Sequence, residues 1–318
     1  MNLVKLFAST LCLSFSVMLP ATAENISIAT GGTGGVYYPV GGGIASLLSK
    51  KVPGLEATAE VTGGSVDNLK LLSNDPTYIG FSMADAAQDA LRGENKFEGN
   101  KEPVRTLMVL YPNHLHLATV EGRDINSIAD LKDRRISSGS PGSATEVMAL
   151  RMLEAAGLSD DVTRERLSVS ESVNALKDGK IDAFFWVGGL PTGAVTDLAN
   201  TPNTTLKLLD NADLTTAMNE KYGKLYVKDV IPKSVYRGME KDNQQASVMN
   251  ILVANAEMSD ETAYNIVKTI FESRDDLIAV HKATTEFSLD KQDPESSPIP
   301  FHPGAVKYFK ERDVKAFN

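Results

Sequence analysis

The sequence predicts an α/β fold of two lobes with a cleft between them. Three observations lead there. An apolar strand runs into a glycine-rich turn four times, at Thr30–Gly35, Thr62–Gly64, Gly139–Gly142 and Gly188–Gly193, and the first three of these turns open helically spaced runs. Two long apolar stretches, Val104–Val120 and Ser247–Ala254, suit strands that cross from one lobe to the other. The 318 residues, 42% hydrophobic and 23% charged, suffice for two cores. In sheets of this kind ligands sit beyond the carboxyl ends of the strands.

The chain opens with an export address. Met1–Ala23 carries Lys5, an apolar run from Leu6 to Leu19, Pro20, and then Ala21-Thr22-Ala23, the pattern of a signal peptide cleaved after Ala23. The apolar run is shorter than the ~20 residues of a spanning helix, so the mature chain is expected outside the cytoplasmic membrane and not crossing it. Cys12, the only cysteine, lies inside this segment, which leaves the mature chain neither disulfide nor thiolate chemistry. A net charge of −9 argues against nucleic acid or an anionic membrane as partner. A local anion site built from backbone amides is compatible with that charge.

Ile26–Ala29 alternates as a strand, Gly31–Gly35 forms an amide-rich turn, and the run to Leu48 is helical, so the aligned peptide dipoles favour an anion at the turn. Leu55–Val61 repeats the device, with Ser65 as N-cap of the next helix. Tyr78–Met83 is a third strand, and Asp85 stands at the start of the helix after it. Pro112-Asn113 interrupts the first long apolar run, which suggests a crossover. Ile125–Lys132 reads as a helical turn, Arg135–Ser138 as a short strand, and Ala144–Ala156 as a helix closed by Gly157. Ser170 opens a helix ending at Asp178-Gly179, Ile181–Val187 is a buried strand, Asn203–Asp210 a strand, and Leu214–Tyr222 a helix. Ser247–Ala254 is the return crossover, Ser259 caps a helix through Phe271, and Asp290–Pro303 is a loop. The expected sheets are largely parallel. Lobe one takes 24–112 plus 245–318, and lobe two takes 113–244.

Five motifs in order resemble the TAXI family of TRAP-transporter solute-binding proteins: Thr30–Pro39, Thr62–Leu69, Gly139–Thr145, Ile181–Phe185 and Ile299–Ala305. The resemblance spans essentially the whole mature chain. It implies a monomeric, periplasmic, two-lobed binding protein of type II that closes on a small carboxylate and delivers it to TRAP membrane permease subunits.

Other chemistries fit less well. Tyr37 replaces the third glycine of a dinucleotide fingerprint, no P-loop occurs, and Ser140 lacks the G-x-S-x-G setting of a nucleophile. An exported hydrolase on the same fold is the rival, but no motif supplies nucleophile and base together. His114 and His116, two apart on a strand, share a face and read as exposed structural residues rather than metal ligands. His302 reads as a loop hydrogen-bonder, Trp186 as core, and Asp210 with Asp213 as a solvated helix start. Neither a metal nor a cofactor is expected. Arg105 and Arg135 adjoin strands and read as ion-pair residues, so no arginine is placed to clamp a carboxylate. The expected ligand is L-glutamate or a related C4–C5 dicarboxylate held by amides and hydroxyls. One carboxylate would meet the N–H groups of Ser140, Gly142, Ser143, Ala144 and Thr145. Gly64, Ser65 and Asn68 would face it from the other lobe. Thr33, Gly34 and Tyr37 would complete the wall, with Asp85 and Gly188 at its edges.

Overall fold

The computed structural model describes residues 24–318, so the export signal read at 1–23 lies outside the described residues. β1 (Glu24–Ala29) leads to α1 (Tyr37–Lys51), β2 (Leu55–Glu60) to α2 (Ser65–Asn74), and β3 (Tyr78–Met83) directly to α3 (Ala84–Arg92). β1 pairs in parallel with β2 on one side and β3 on the other, because each strand returns through a helix. β4 (Val104–Val120) follows as one strand of 17 residues. The alternation resumes with β5 (Arg135–Ser137), α4 (Ala144–Ala155), β6 (Thr163–Glu165), α5 (Val169–Lys177), β7 (Ala183–Gly188) and α6 (Gly193–Ala199). β8 (Leu206–Leu208), α7 (Thr215–Tyr222) and β9 (Tyr226–Ile231) lead to the second long strand, β10 (Asn243–Asn255). α8 (Asp260–Glu272), α9 (Arg274–Val280) and α10 (Pro303–Glu311) close the chain.

The strands join in the order β2-β1-β3-β10-β4-β7-β5-β6, with β8 also on β4 and β9 also on β10. The flanks are parallel, but β10 is antiparallel to β3, β4 and β9, and β4 is antiparallel to β7 and β8. The sheet is therefore mixed rather than largely parallel, because the two long strands run in opposite directions through its middle. β4 pairs with β10 from Val104 to His114 and with β7 from His114 to Ala118, so it changes partner along its length. Pro112-Asn113 does not break it. Pro112 stands opposite Met249, beside the register shift between Met249 and Ile251, where a missing N–H costs the ladder least.

Local departures from expectation have local causes. The cap of α5 is Ser168, not Ser170, in a reciprocal capping box with Glu171. Gly64, with φ +121°, precedes α2, and Ser65 is its first helical residue. The strand expected over 203–210 contracts to β8, while β9 and α10 arise where no element was read. His302 caps α10: its Nδ1 accepts from the Gly304 N–H.

One apolar cluster packs α1, α8 and α10 on the sheet through Ile28, Phe81, Ile266 and Phe309. A second brings Val66, Met83 and Ala87 into one cluster with Met148, Met152, Leu117 and Phe185. His114 and His116 are buried, not exposed. His116 Nδ1 donates to the His114 carbonyl oxygen (2.9 Å) and its Nε2 accepts from the Tyr236 hydroxyl (2.9 Å). Burial first, and then the neighbouring His114, push its pKa down to about 3. The unfolded chain takes up this proton near pH ~6.5 and the folded chain refuses it until about 3. This group therefore stabilises the fold above that window and loses ~1.4 kcal/mol per pH unit as pH falls through it. The loss in urea stability between about pH 7 and about pH 5 is expected to be smaller in His116→Gln than in the parent. Equal losses would place the His116 proton elsewhere.

Candidate ligand site

A cavity opens where four helix starts and the end of β7 meet. Gly31, Gly32, Gly35, Val36 and Tyr37 come from the start of α1, Gly63, Gly64 and Ser65 from that of α2. Ser140, Ser143, Ala144 and Thr145 come from the start of α4, Ser168 and Val169 from that of α5. Met83 and the segment Trp186–Gly189 complete the lining. The space among these residues, part of it open to solvent, comes to about 510 Å³.

The amides at α4 are sorted by its cap. Ser143 Oγ accepts from the Glu146 N–H (3.1 Å), and the Ser143 N–H donates to the Ser140 carbonyl oxygen (3.2 Å). Among the described residues, the N–H groups of Ala144 and Thr145 then have no protein acceptor. Ser143 itself contributes position rather than a free amide. Thr145 Oγ1 accepts from the Val187 N–H (3.3 Å) and so ties the start of α4 to β7.

Two aromatic rings form the larger walls. Tyr37 stacks on Phe81 with centroids 4.9 Å apart, and its hydroxyl donates to Asn250 Oδ1 (3.0 Å) and accepts from Asn113 Nδ2 (3.3 Å). Burial pushes the Tyr37 phenol well above its ordinary value, so it stays protonated. Trp186, read from sequence as core, instead lies half-buried on the cavity wall, its Nε1–H donating to Thr192 Oγ1 (2.8 Å). Its ring occupies the space that side chains at Gly35 and Gly188 would need, since a Cβ there would stand 2.9 and 2.7 Å from ring atoms. One glycine of each pair, Gly35 and Gly188, makes room for this ring, while Gly34 and Gly189 stand against Ser170 and Tyr111.

Eight of the expected residues thus meet at the cavity: Tyr37, Gly64, Ser65, Ser140, Ser143, Ala144, Thr145 and Gly188. The other five lie elsewhere. Thr33 is exposed, and the Gly34 carbonyl oxygen accepts from the Ala194 N–H (3.1 Å). Asn68 is buried behind the wall, where its Nδ2 donates to the carbonyl oxygens of Ala29, Thr30 and Phe81 and its Oδ1 accepts from Thr62 Oγ1. Asp85 accepts from the Tyr226 hydroxyl (2.8 Å) and lies 3.6 Å from Arg151, which also binds Asp89 at 2.5 Å. The Gly142 carbonyl oxygen accepts from the N–H groups of Val66 (3.0 Å) and Asp67 (3.1 Å), so the start of α2 is sealed by a turn from across the cavity. Ser140 Oγ adds a bond to the Gly63 carbonyl oxygen (3.1 Å). The lining carries no charged side chain among the described residues. The available polarity is amide and hydroxyl, with the positive ends of helix dipoles behind it.

The model of the NMT1-like family matches residues 28–312. The chain belongs to that family. Among solved structures this NMT1-like protein is similar to MatC of Rhodopseudomonas palustris, solved with bound malate, with TM-score 0.60 and 11% identity over 93% of this chain and 99% of that one. A solved chain from Bordetella bronchiseptica RB50 gives TM-score 0.52 and 18% identity over 90% and 89%. Tv2483, bound to L-arginine, gives TM-score 0.50 and 13% identity over 83% and 90%. At such identities the likeness is one of fold: two α/β domains with a mixed sheet and flanking helices, the type II periplasmic binding arrangement. No helix among the described residues is long and apolar enough to cross a membrane.

The seal over α2 depends on Gly142. Its φ is +76°, and a Cβ there would stand 2.1 Å from Asp67 Oδ1. Gly142→Ala is expected to lose ~1–2 kcal/mol to the left-handed backbone alone, with a further loss from the clash. Adding Asp67→Ala should recover the clash component and leave the backbone component. Urea unfolding of the parent and the two variants checks this, and an unimpaired Gly142→Ala would contradict the turn as described.

Proposed function

We propose that this NMT1-like protein is an extracytoplasmic solute-binding protein that captures a small carboxylate in the cavity and hands it on unchanged. One observation carries the proposal: a cavity ringed by helix starts, with, among the described residues, unpaired amides at Ala144 and Thr145 and no charged side chain in its lining. An anion is the species that such a site stabilises. Catalysis lacks parts, since the lining hydroxyls of Ser65, Ser140, Ser143, Thr145 and Ser168 have no histidine, lysine or carboxylate in the lining to act as base.

The resemblance of five motifs to the TAXI family supports a TRAP-type permease as the recipient, with the protein acting as a periplasmic monomer that needs neither metal nor cofactor. We place the moving parts at 24–112 plus 245–318 and at 113–244, with β4 and β10 as the hinge. The permease would read the shut form.

The test uses the only tryptophan, Trp186, which sits in the cavity wall and reports binding by its fluorescence. Organic acids are expected to change its emission saturably, and sugars and simple cations are expected not to. Ala144→Pro deletes one of the two free amides at the first helical position, which suits proline, after a Ser143 that is already extended with ψ 151°. It should fold and bind on the order of tenfold more weakly or worse, since a hydrogen bond to a charged group is worth ~1.5–3 kcal/mol. A folded Ala144→Pro that binds as tightly as the parent would remove α4 from the site. A protein stabilised by sugars and by no organic acid would end the carboxylate reading.

A further inference from the structure

The cavity lining also speaks to what else the ligand carries. We infer that the bound acid has no ammonium group: it is a 2-oxo, 2-hydroxy or unsubstituted carboxylic acid rather than an amino acid. This rests on the carboxylate reading above and revises its glutamate expectation.

An amino acid brings a positive charge within a few ångströms of its carboxylate. A cavity that desolvates the molecule must supply a counter-charge, because an unpaired buried ammonium is far costlier than an unpaired neutral group. Four acidic residues stand in the first turns of helices around the cavity: Asp67 on α2, Asp85 on α3, Glu146 on α4 and Glu171 on α5. None of the four is part of the lining. Three are already committed. Asp85 serves Tyr226 and Arg151, and Glu146 is held by Arg166 and by Lys96 at 3.4 Å. Glu171 accepts from the Ser168 N–H (2.8 Å) and Oγ (2.7 Å) in its capping box. Asp67 packs its carboxylate on Gly63 and Gly142, within the seal.

What does face the ligand offers an ammonium no formal counter-charge. The helix starts present partial positive charge, and the hydroxyls are dipoles without net charge. Tyr111, Asn113, Ser247 and Asn250 carry buried polar atoms without a protein partner, but they are neutral and outside the lining. The geometry therefore discriminates by what it omits. A hydroxyl or oxo group needs only a neutral partner, which the lining provides, whereas the ammonium at the same carbon needs a charge that it withholds.

Matched pairs isolate that one difference. Lactate against L-alanine, malate against L-aspartate and 2-oxoglutarate against L-glutamate are titrated into the intact protein, with Trp186 fluorescence and calorimetry as readouts. Whichever pair has the right length, its amine-free member is expected to bind about a hundredfold or more tightly than its amino acid. An amino acid that binds as tightly as its partner, or more tightly, overturns the inference and leaves the carboxylate reading standing. Failure of every acid while a sugar binds overturns the carboxylate reading, and the inference with it. The two failures are therefore distinguishable in one set of titrations.

Discussion

The pairing of β4 with β10 is the constraint on which the rest of this protein depends. Each strand changes partners along its length: β4 goes from β10 to β7, and β10 from β3 to β9. The parallel flanks hang from this antiparallel centre. Their helix starts all lie at strand ends that face the middle, so the cavity arises where the two flanks meet. Tyr37 is the stitch between wall and centre. Its hydroxyl reaches Asn250 on β10 and its ring stacks on Phe81 of β3, while Asn113 of β4 donates to the same oxygen. A shift of either long strand would be felt at a residue of the cavity wall.

A second constraint is the separation of charge from the site. The fold buries formal charges close to the cavity without letting them into it. Arg151 on α4, with Asp85 and Asp89 on α3 and the Tyr226 hydroxyl, forms a buried cluster that joins helices from the two flanks. Such a cluster contributes little net stability once desolvation is counted, but removing one member leaves an uncompensated charge. Its effect here is placement. Asp85 sits two residues after Met83, a lining residue, and without its partners its negative charge would oppose the anion that the helix dipoles favour.

Much of the architecture was legible in the chain because periodicity is local. Strands entering glycine turns and helices leaving them are patterns of a few residues, and eight of the positions they singled out line one cavity. What could not be read was set by partners distant in sequence. The direction of β10 against β4, the burial of His114 and His116 under Gln245 and Tyr236, and the turning of Asp85 toward Arg151 all depend on such meetings. Asn68 shows the same limit. Its position at a helix start suits a ligand contact, yet its carboxamide is fully used in binding the ends of β1 and β3 to the loop at Thr62.

The starts of α2 and α4 make the point most sharply, because the sequence writes them alike. Both have a strand, a glycine at positive φ, a serine and a helix, and both helices leave their first amides without intrahelical acceptors. Their fates differ through one carbonyl. The turn before α4 carries Gly142, whose oxygen reaches across and takes the Val66 and Asp67 amides, so α2 is sealed by the segment that opens α4. No equivalent carbonyl returns from the α2 turn to Ala144 and Thr145. The asymmetry has a physical consequence: a small anion entering from solvent competes with a peptide oxygen for the Val66 and Asp67 amides of α2, but with no protein acceptor for those of Ala144 and Thr145 on α4. The same motif is therefore a latch on one side of the cavity and a candidate receptor on the other.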